Sequence, residues 1–200
     1  MIGTAQGIGA DMWEVYLDVI YPALKKTLTD RRRDMRNEAF KIVMRAAGEF
    51  VEFHGDLAVL THMDAEQDIS LNLLHIQMSR RIKALLALQK AVAGGSLSPV
   101  SLRYILMPLV WWNIVEPQEK DPRGKAYKAD DGAYNLSDEA VRTAGAIALQ
   151  LPWKDYQVML WDALRELALK RPYEKVVVKL VCIVVANFHF ELDAAAEAQV

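Results

Sequence analysis

The sequence predicts an all-α fold of about seven helices. Three observations lead there. Apolar residues recur at steps of three and four. Proline and glycine punctuate the chain at helix-length intervals. The β-branched run from Val176 to Val185, which propensity alone would allow as a strand, has no second strand-like run to pair with.

The elements follow in order. Trp13 to Thr27 reads as a first helix, with Pro22 a kink or break, and Asp30 to Phe53 as a second that ends before Gly55. Residues 55–63 form a connection. Asp64 or Asp68 caps a long third helix, where acids suit the positive N-terminal end. Its stripe is Leu71, Leu74, Met78, Ile82, Leu85, Leu88 and Val92, with Asn72, Lys83 and Lys90 on the opposite face, Arg80 beside them and Arg81 at the stripe's edge. It stops at Gly94-Gly95. Ser98-Pro99 opens a fourth helix that runs to about Val115 and bends at Pro108. Residues 116–135 are polar and rich in charge, glycine and proline, and read as a mobile insertion. Ser137 caps a fifth helix. Pro152 opens a sixth, with Trp153, Tyr156, Leu160, Leu164 and Leu167 on one stripe, and Pro172 opens a seventh that is apolar almost all round and therefore expected at the centre. The organisation expected is an unassigned segment at 1–12, a helical domain at 13–192 carrying the insertion at 116–135, and a tail at 193–200.

Composition limits the functional classes. A chain of 200 residues, 52% hydrophobic and 25% charged, has enough material for one core. The net charge of −2 argues against a uniformly basic nucleic-acid protein, but the charge is uneven. Lys25, Lys26, Arg31, Arg32, Arg33, Arg36, Lys41 and Arg45 share their window with only Asp30, Asp34 and Glu38, whereas the C-terminal end carries Glu191, Asp193 and Glu197 and no cation. Cys182 is the single cysteine, which excludes an internal disulfide and a cysteine-based metal cluster and fits a reducing compartment. The longest apolar run, Leu180 to Ala186, is far short of the about 20 residues that a membrane span takes.

Several stretches carry a resemblance. Asp64, Glu66, Asp68 and Asn72, followed by His75-Ile76-Gln77, Arg80-Arg81 and Ala84-Leu85, resemble a segment of the "down-regulated in metastasis" family, giant HEAT-repeat proteins associated with the U3 snoRNA. Leu102 to Pro108 resembles the family's next helix, Leu151 to Tyr156 its tryptophan-tyrosine helix start, and Phe188-His189-Phe190 its closing motif. The four stretches lie in order over roughly residues 50 to 190, and the first dozen residues fall outside them. The resemblance implies a piece of a much longer nucleolar scaffold of the small-subunit processome. It would support maturation of pre-ribosomal RNA by binding processome proteins and neighbouring repeats of its own long chain. Helix pairs joined by short turns suit an α-solenoid. With no clean repeat at a fixed period, the HEAT/armadillo-like assignment rests partly on the resemblance. A helical protein-interaction adaptor unrelated to ribosomes is the rival reading.

The motifs that invite chemistry are weighed against plain packing. Gly3-Thr4-Ala5-Gln6-Gly7-Ile8-Gly9, with Tyr21 and Lys25, imitates a short-chain dehydrogenase, but a dinucleotide turn needs a strand before it and only Met1-Ile2 precede it. Asp64, Glu66 and Asp68 alternate like calcium-loop ligands without the glycine and glutamate such a loop needs, so they read as solvated acids at a helix start. His54 and His62 fit no zinc spacing. His75 reads as a hydrogen-bonded interface histidine, His189 as packing, and Cys182 as a buried, inert thiol. No catalytic, cofactor or metal residue is expected, nor a small-molecule substrate or a membrane. Trp111-Trp112 is a candidate stacking platform, though adjacent indoles on a helix cannot both face one way. The candidates for RNA or partner contact are Arg31, Arg32, Arg33, Arg36, Arg80 and Lys83, through pre-rRNA or snoRNA phosphates. The alternative for these cations is a solvated face or a ladder of salt bridges between stacked repeats.

Overall fold

A computed structural model of the chain describes residues 12–118 and 131–191. The glycine-rich turn at 3–9, the middle of the expected insertion and the tail at 193–200 lie outside the described residues. Among the described residues all regular structure is helical, including Val176 to Val185.

We label the principal helices α1 (Tyr21–Leu28), α2 (Arg33–Glu49), α3 (Ile69–Leu73), α4 (Met78–Ala93), α5 (Met107–Val115), α6 (Asp131–Ala148), α7 (Trp153–Ala168) and α8 (Glu174–Ala186). They pack as sequential pairs: α1 on α2, α3 on α4, α5 on α6 and α7 on α8. Packing between pairs runs mainly through α6, which lies along α4, α5 and α8. Packing among near neighbours in sequence is how solenoid segments build a core.

Pro22 and Pro108 do not break their helices. Each is preceded by one wide turn, Tyr16–Ile20 before α1 and Leu102–Leu106 before α5. The Tyr21 N–H reaches back five residues to the Tyr16 carbonyl, and the Met107 N–H to that of Leu102. Proline has no N–H to donate and its ring crowds the carbonyl four residues back, so the helix passes it by widening for one turn.

The expected third helix is two. Asp68 caps α3 by accepting from the Leu71 N–H at 2.8 Å. The buried Asn72 amide folds back onto the carbonyls of Ala65 and Asp68, both at 2.7 Å. His75 Nδ1 accepts the Gln77 N–H, and Gln77 is extended. These side-chain bonds compete with helix formation and break it between Leu73 and Met78. In consequence Leu71, assigned to the stripe, is exposed, and Asn72, assigned to the opposite face, is buried. From Met78 onward the stripe holds: Leu85, Leu88 and Val92 are fully buried. Gly95 ends it with φ +69°, a left-handed geometry that suits glycine.

Other expectations also move. The second helix ends at Glu49 and is followed by a turn at Val51–His54 and a 3-10 segment at Gly55–Leu60, whose Leu57 and Leu60 enter the core. Ser137 is not a cap, because α6 begins at Asp131; its hydroxyl donates to the Ile114 carbonyl at 2.9 Å and fastens α6 to α5. The central helix is α6 rather than α8. Its Ala140, Thr143, Ala144 and Ala148 are buried and small, so α4, α5 and α8 come close. A Cβ on Gly145 would meet Asn187 Nδ2 at 2.8 Å and Ile183 Cγ1 at 2.9 Å. α8 buries Val176, Val177, Leu180 and Val184 but leaves Val178, Val185 and Cys182 exposed. Cys182 is thus not the buried thiol expected. Nor is Leu164 part of the buried side of α7, which is set by Tyr156, Met159 and Ala163.

Candidate functional site

The two arginine-rich stretches, 31–36 and 80–83, are 44 or more residues apart in sequence and meet in space. Their meeting point is Glu116, the first residue of the expected insertion, which sits in a 3-10 turn directly after α5. Arg81 Nη1 lies 3.2 Å from Glu116 Oε2 and donates to Asn113 Oδ1 at 3.2 Å. Arg33 Nη1 lies 3.6 Å from Glu116 Oε1, and its Nη2 donates to the carbonyls of Leu74 and His75. The carbonyls that the broken third helix leaves without helical partners are therefore held by a guanidinium from α2. Arg36 is only 4% exposed. Its Nη1 donates to the carbonyls of Asp30 and Arg31 at 2.8 and 2.7 Å, closing the turn before α2. Its Cζ sits 4.1 Å from the centre of the Trp112 ring, a cation–π arrangement.

This geometry corrects one candidate. Arg36 cannot reach a phosphate, because its guanidinium is buried under Trp112 and held by two carbonyls. Arg33 is half-buried and joins α2 to the α3–α4 break and to Glu116. Among the six candidates, Arg31, Arg32 and Lys83 are exposed and Arg80 is half-buried. Arg32 pairs with Asp30 at 3.1 Å, and that pairing holds the Asp30 carboxyl down at about 2. Arg80 lies 3.9 Å from Glu66. The sequence pattern could not rank these cations, because the spacing that sets a helical face does not reveal the distant acceptor Glu116.

The other motifs fall into structural roles. Tyr21 and Lys25 form a local cation–π pair, with Nζ 4.6 Å from the ring. Burial, and then the nearby Tyr16, Tyr104 and Asp56, push the Tyr21 hydroxyl up to about 12, the wrong direction for proton transfer near neutrality. Of the three spaced acids, only Asp68 is buried. It also accepts from the His62 N–H at 3.0 Å and from Ser70 at 2.6 Å. Asp64 stays exposed, its carboxyl lowered by the Glu66 N–H and the Gln67 side chain. Among the described residues, no group of three or more histidine, cysteine, aspartate and glutamate side chains could hold a metal ion. No described helix is long and apolar enough to cross a membrane.

The adjacent indoles do face different ways. Trp112 lies under Arg36, while Trp111 stands edge-to-face with Tyr173, centroids 6.2 Å apart. Trp111 and Trp112 help line a groove of about 420 Å³ between α5, α7 and the start of α8. Met107, Pro108, Met159, Ala163 and Leu180 make its apolar wall. Arg31, Arg103, Arg165 and Arg171 line it together with Asp162 and Glu166. Asp162 is bridged by Arg103 Nη2 at 2.8 Å and by Arg165 Nη1 at 3.3 Å, and Glu166 accepts from the Tyr173 hydroxyl at 3.1 Å. Sequence reasoning missed this groove. Three of its arginines, Arg103, Arg165 and Arg171, stand apart from the arginine run; the readable signals were Arg31 and the tryptophan pair.

No protein-family model matches the chain. Over 186 residues, 92% of its length, the chain is 27% identical to the U3 small nucleolar RNA-associated protein 20 of Schizosaccharomyces pombe, and it spans 7% of the length of that protein. The resemblance first read in four separate motifs thus extends along nearly the whole chain, which is similar to one short stretch of a very long relative.

Proposed function

We propose that this chain is a scaffold segment of a ribosome-biogenesis protein, acting by binding and without catalysing a reaction. The observation that carries the reading is the similarity to the U3 small nucleolar RNA-associated protein over 92% of the chain. The fold supports it. Sequential helix pairs held by side-chain staples make a stiff surface for extended binding. In this role the segment works in the nucleolus, within the small-subunit processome, and supports pre-rRNA processing. Its partners are processome proteins and neighbouring helical repeats. The exposed Arg31, Arg32 and Lys83 and the half-buried Arg80 add weak, sequence-tolerant phosphate contacts.

The test is sedimentation. The chain, tagged in cells of its own source and at its natural level, should co-migrate with particles that hybridise to the U3 snoRNA and to small-subunit ribosomal RNA precursors. Its depletion should cause those precursors to accumulate. If the tagged chain stays at the top of the gradient and precursor levels do not change on depletion, it is a helical adaptor unrelated to ribosomes.

A further inference from the structure

We propose that the outer face of the α7–α8 pair, the side turned away from α5 and α6, joins a second copy of this chain in a two-fold dimer with the two α8 helices antiparallel. Such a dimer goes beyond the scaffold reading and does not rest on it. Helix geometry places the face. Residues two positions apart on a helix lie on nearly opposite sides. Ile183 stands against Gly145 of α6, so Val181 and Val185 point away from α6. Met159 and Asp162 line the groove toward α5, so Trp161 and Leu164 point away from it.

The face is apolar and uncovered. Trp161 is 59% exposed and Val185 53%, and Leu164, Val178 and Cys182 are exposed as well. From Val176 to Ala186 the only charged residue of α8 is Lys179, which is bonded to Asp138 of α6 on the covered side. The exposed side of α2 is different in kind, carrying Asp34, Glu38, Lys41, Arg45 and Glu49. Soluble monomers rarely leave a continuous apolar patch open, and the terminal unit of a helical stack normally has a polar outer face.

Three features favour a second copy as the occupant. The first is continuity with the existing packing. α6 lies between α4 and α8, and beyond α8 this row of helices stops. The α8 of a second copy would extend the row by the same kind of helix contact. The second is self-complementarity. Val178, Val181, Cys182 and Val185 are spaced symmetrically about the 181–182 bond. In an antiparallel pair Val178 therefore faces Val185 of the second copy and Val181 faces its Cys182, at both ends alike, as a closed two-fold interface requires. Lys175 then lies near the C-terminal end of the other α8, where a cation is favoured. The third is extent. A stable dimer takes roughly 800 Å² from each partner. α8, with 13 residues, is too short to supply that alone, but Trp161 and Leu164 of α7 widen the patch, and tryptophan is a residue type that anchors interfaces. Pairing this face with the exposed Met12, Val15 and Val19 of the first helix would instead be head-to-tail and would leave one such face open in every open-ended assembly.

The experiment uses the whole 200-residue chain. Sedimentation velocity over a concentration series should show a monomer–dimer equilibrium and no larger species. A short bis-maleimide should link two chains through Cys182, the single cysteine, and Cys182→Ser should abolish the link while retaining the dimer. The Trp161→Glu/Val185→Glu variant should weaken the dimer by about thirtyfold or more with an unchanged far-ultraviolet spectrum. Val15→Glu/Val19→Glu should leave it intact. A chain that is monomeric at every concentration overturns the proposal, as does a dimer whose strength ignores Trp161→Glu/Val185→Glu. A dimer that does not link through Cys182 also overturns it, a result that does not depend on any variant's folding. Open-ended growth abolished by Val15→Glu/Val19→Glu overturns it in favour of head-to-tail stacking. Co-migration with particles containing the U3 snoRNA is measured independently, so the two readings fail separately.

Discussion

The flanks of α5 treat arginine in opposite ways. Toward α2 and α4, Arg36 and Arg81 are buried, and their guanidinium groups are held by carbonyls, an amide and Glu116. Toward α7, Arg103 and Arg165 share Asp162 along an open groove, and Arg31 and Arg171 also line it. Trp112 belongs to both sides, under Arg36 on one and in the groove wall on the other. Residue type therefore does not decide whether a basic residue serves the fold or the surface. What decides is whether the protein supplies enough acceptors to justify removing the guanidinium from water. The seam supplies them from three elements; along the groove, Arg103 and Arg165 divide the one carboxylate of Asp162 between them.

The largest effect expected is from Arg81. Arg81→Ala removes the most buried partner of Glu116 and leaves Asn113 without its donor, costing about 3 kcal/mol and lowering the melting temperature by roughly 9 °C. Arg33 stays at Glu116, so the double variant Arg81→Met/Glu116→Gln should recover part of that loss, which a double-mutant cycle with thermal melts would measure. An Arg81→Ala melt equal to the parent's would mean that the seam does not hold the pairs together.

Next is Gly145, at the α6–α8 contact and away from both arginine sets. Gly145→Val places methyl groups where even a Cβ meets Asn187 and Ile183 below 3 Å. Overpacking there should cost about 1–3 kcal/mol by denaturant melts. A neutral result would mean that α8 shifts freely on α6, and the groove, whose wall includes Leu180 of α8, would then not be a fixed shape.

A smaller effect should appear with pH. His54 is fully buried against Tyr16 and Tyr21, and burial, only partly offset by Asp56, lowers its pKa. The folded state therefore takes up the proton less readily than the unfolded state. The stabilisation is complete above the unfolded pKa of about 6.5 and declines as pH falls below it. Melting temperatures from pH 8 to 5 should fall on the acid side, and His54→Gln should flatten that fall.

These contrasts show what was legible in the chain. Stripes and breakers located the helical regions, though not every helix end, because core-facing periodicity and proline position are local properties. The resemblance at 64–85 marked the region whose Arg81 helps hold the seam. The break at 74–77 was not legible, since it depends on Asn72 and His75 bonding back to the backbone rather than on a proline or glycine. The centrality of α6 was hidden because small residues score as weakly hydrophobic, although smallness lets three helices approach. The inward turn of Arg36 was hidden because its partners are carbonyls and an indole from α5.

The smallest effect sharpens the comparison most. Arg32 is exposed and paired with Asp30 two residues away, and Lys83 is exposed on α4. Exposed pairs add little to stability. Arg32→Ala and Lys83→Ala should therefore leave the melting temperature within error of the parent. If either residue meets a phosphate, its removal should lower the salt slope of binding to a single-stranded RNA oligomer by about 0.7 for each phosphate no longer neutralised. Arg36→Ala should behave in the reverse manner, with a lower melting temperature and, at temperatures where it remains folded, an unchanged salt slope. A salt slope that responds to Arg36 but not to Arg32 or Lys83 would mean that the buried seam opens to bind, and the division between structural and surface arginines would fail.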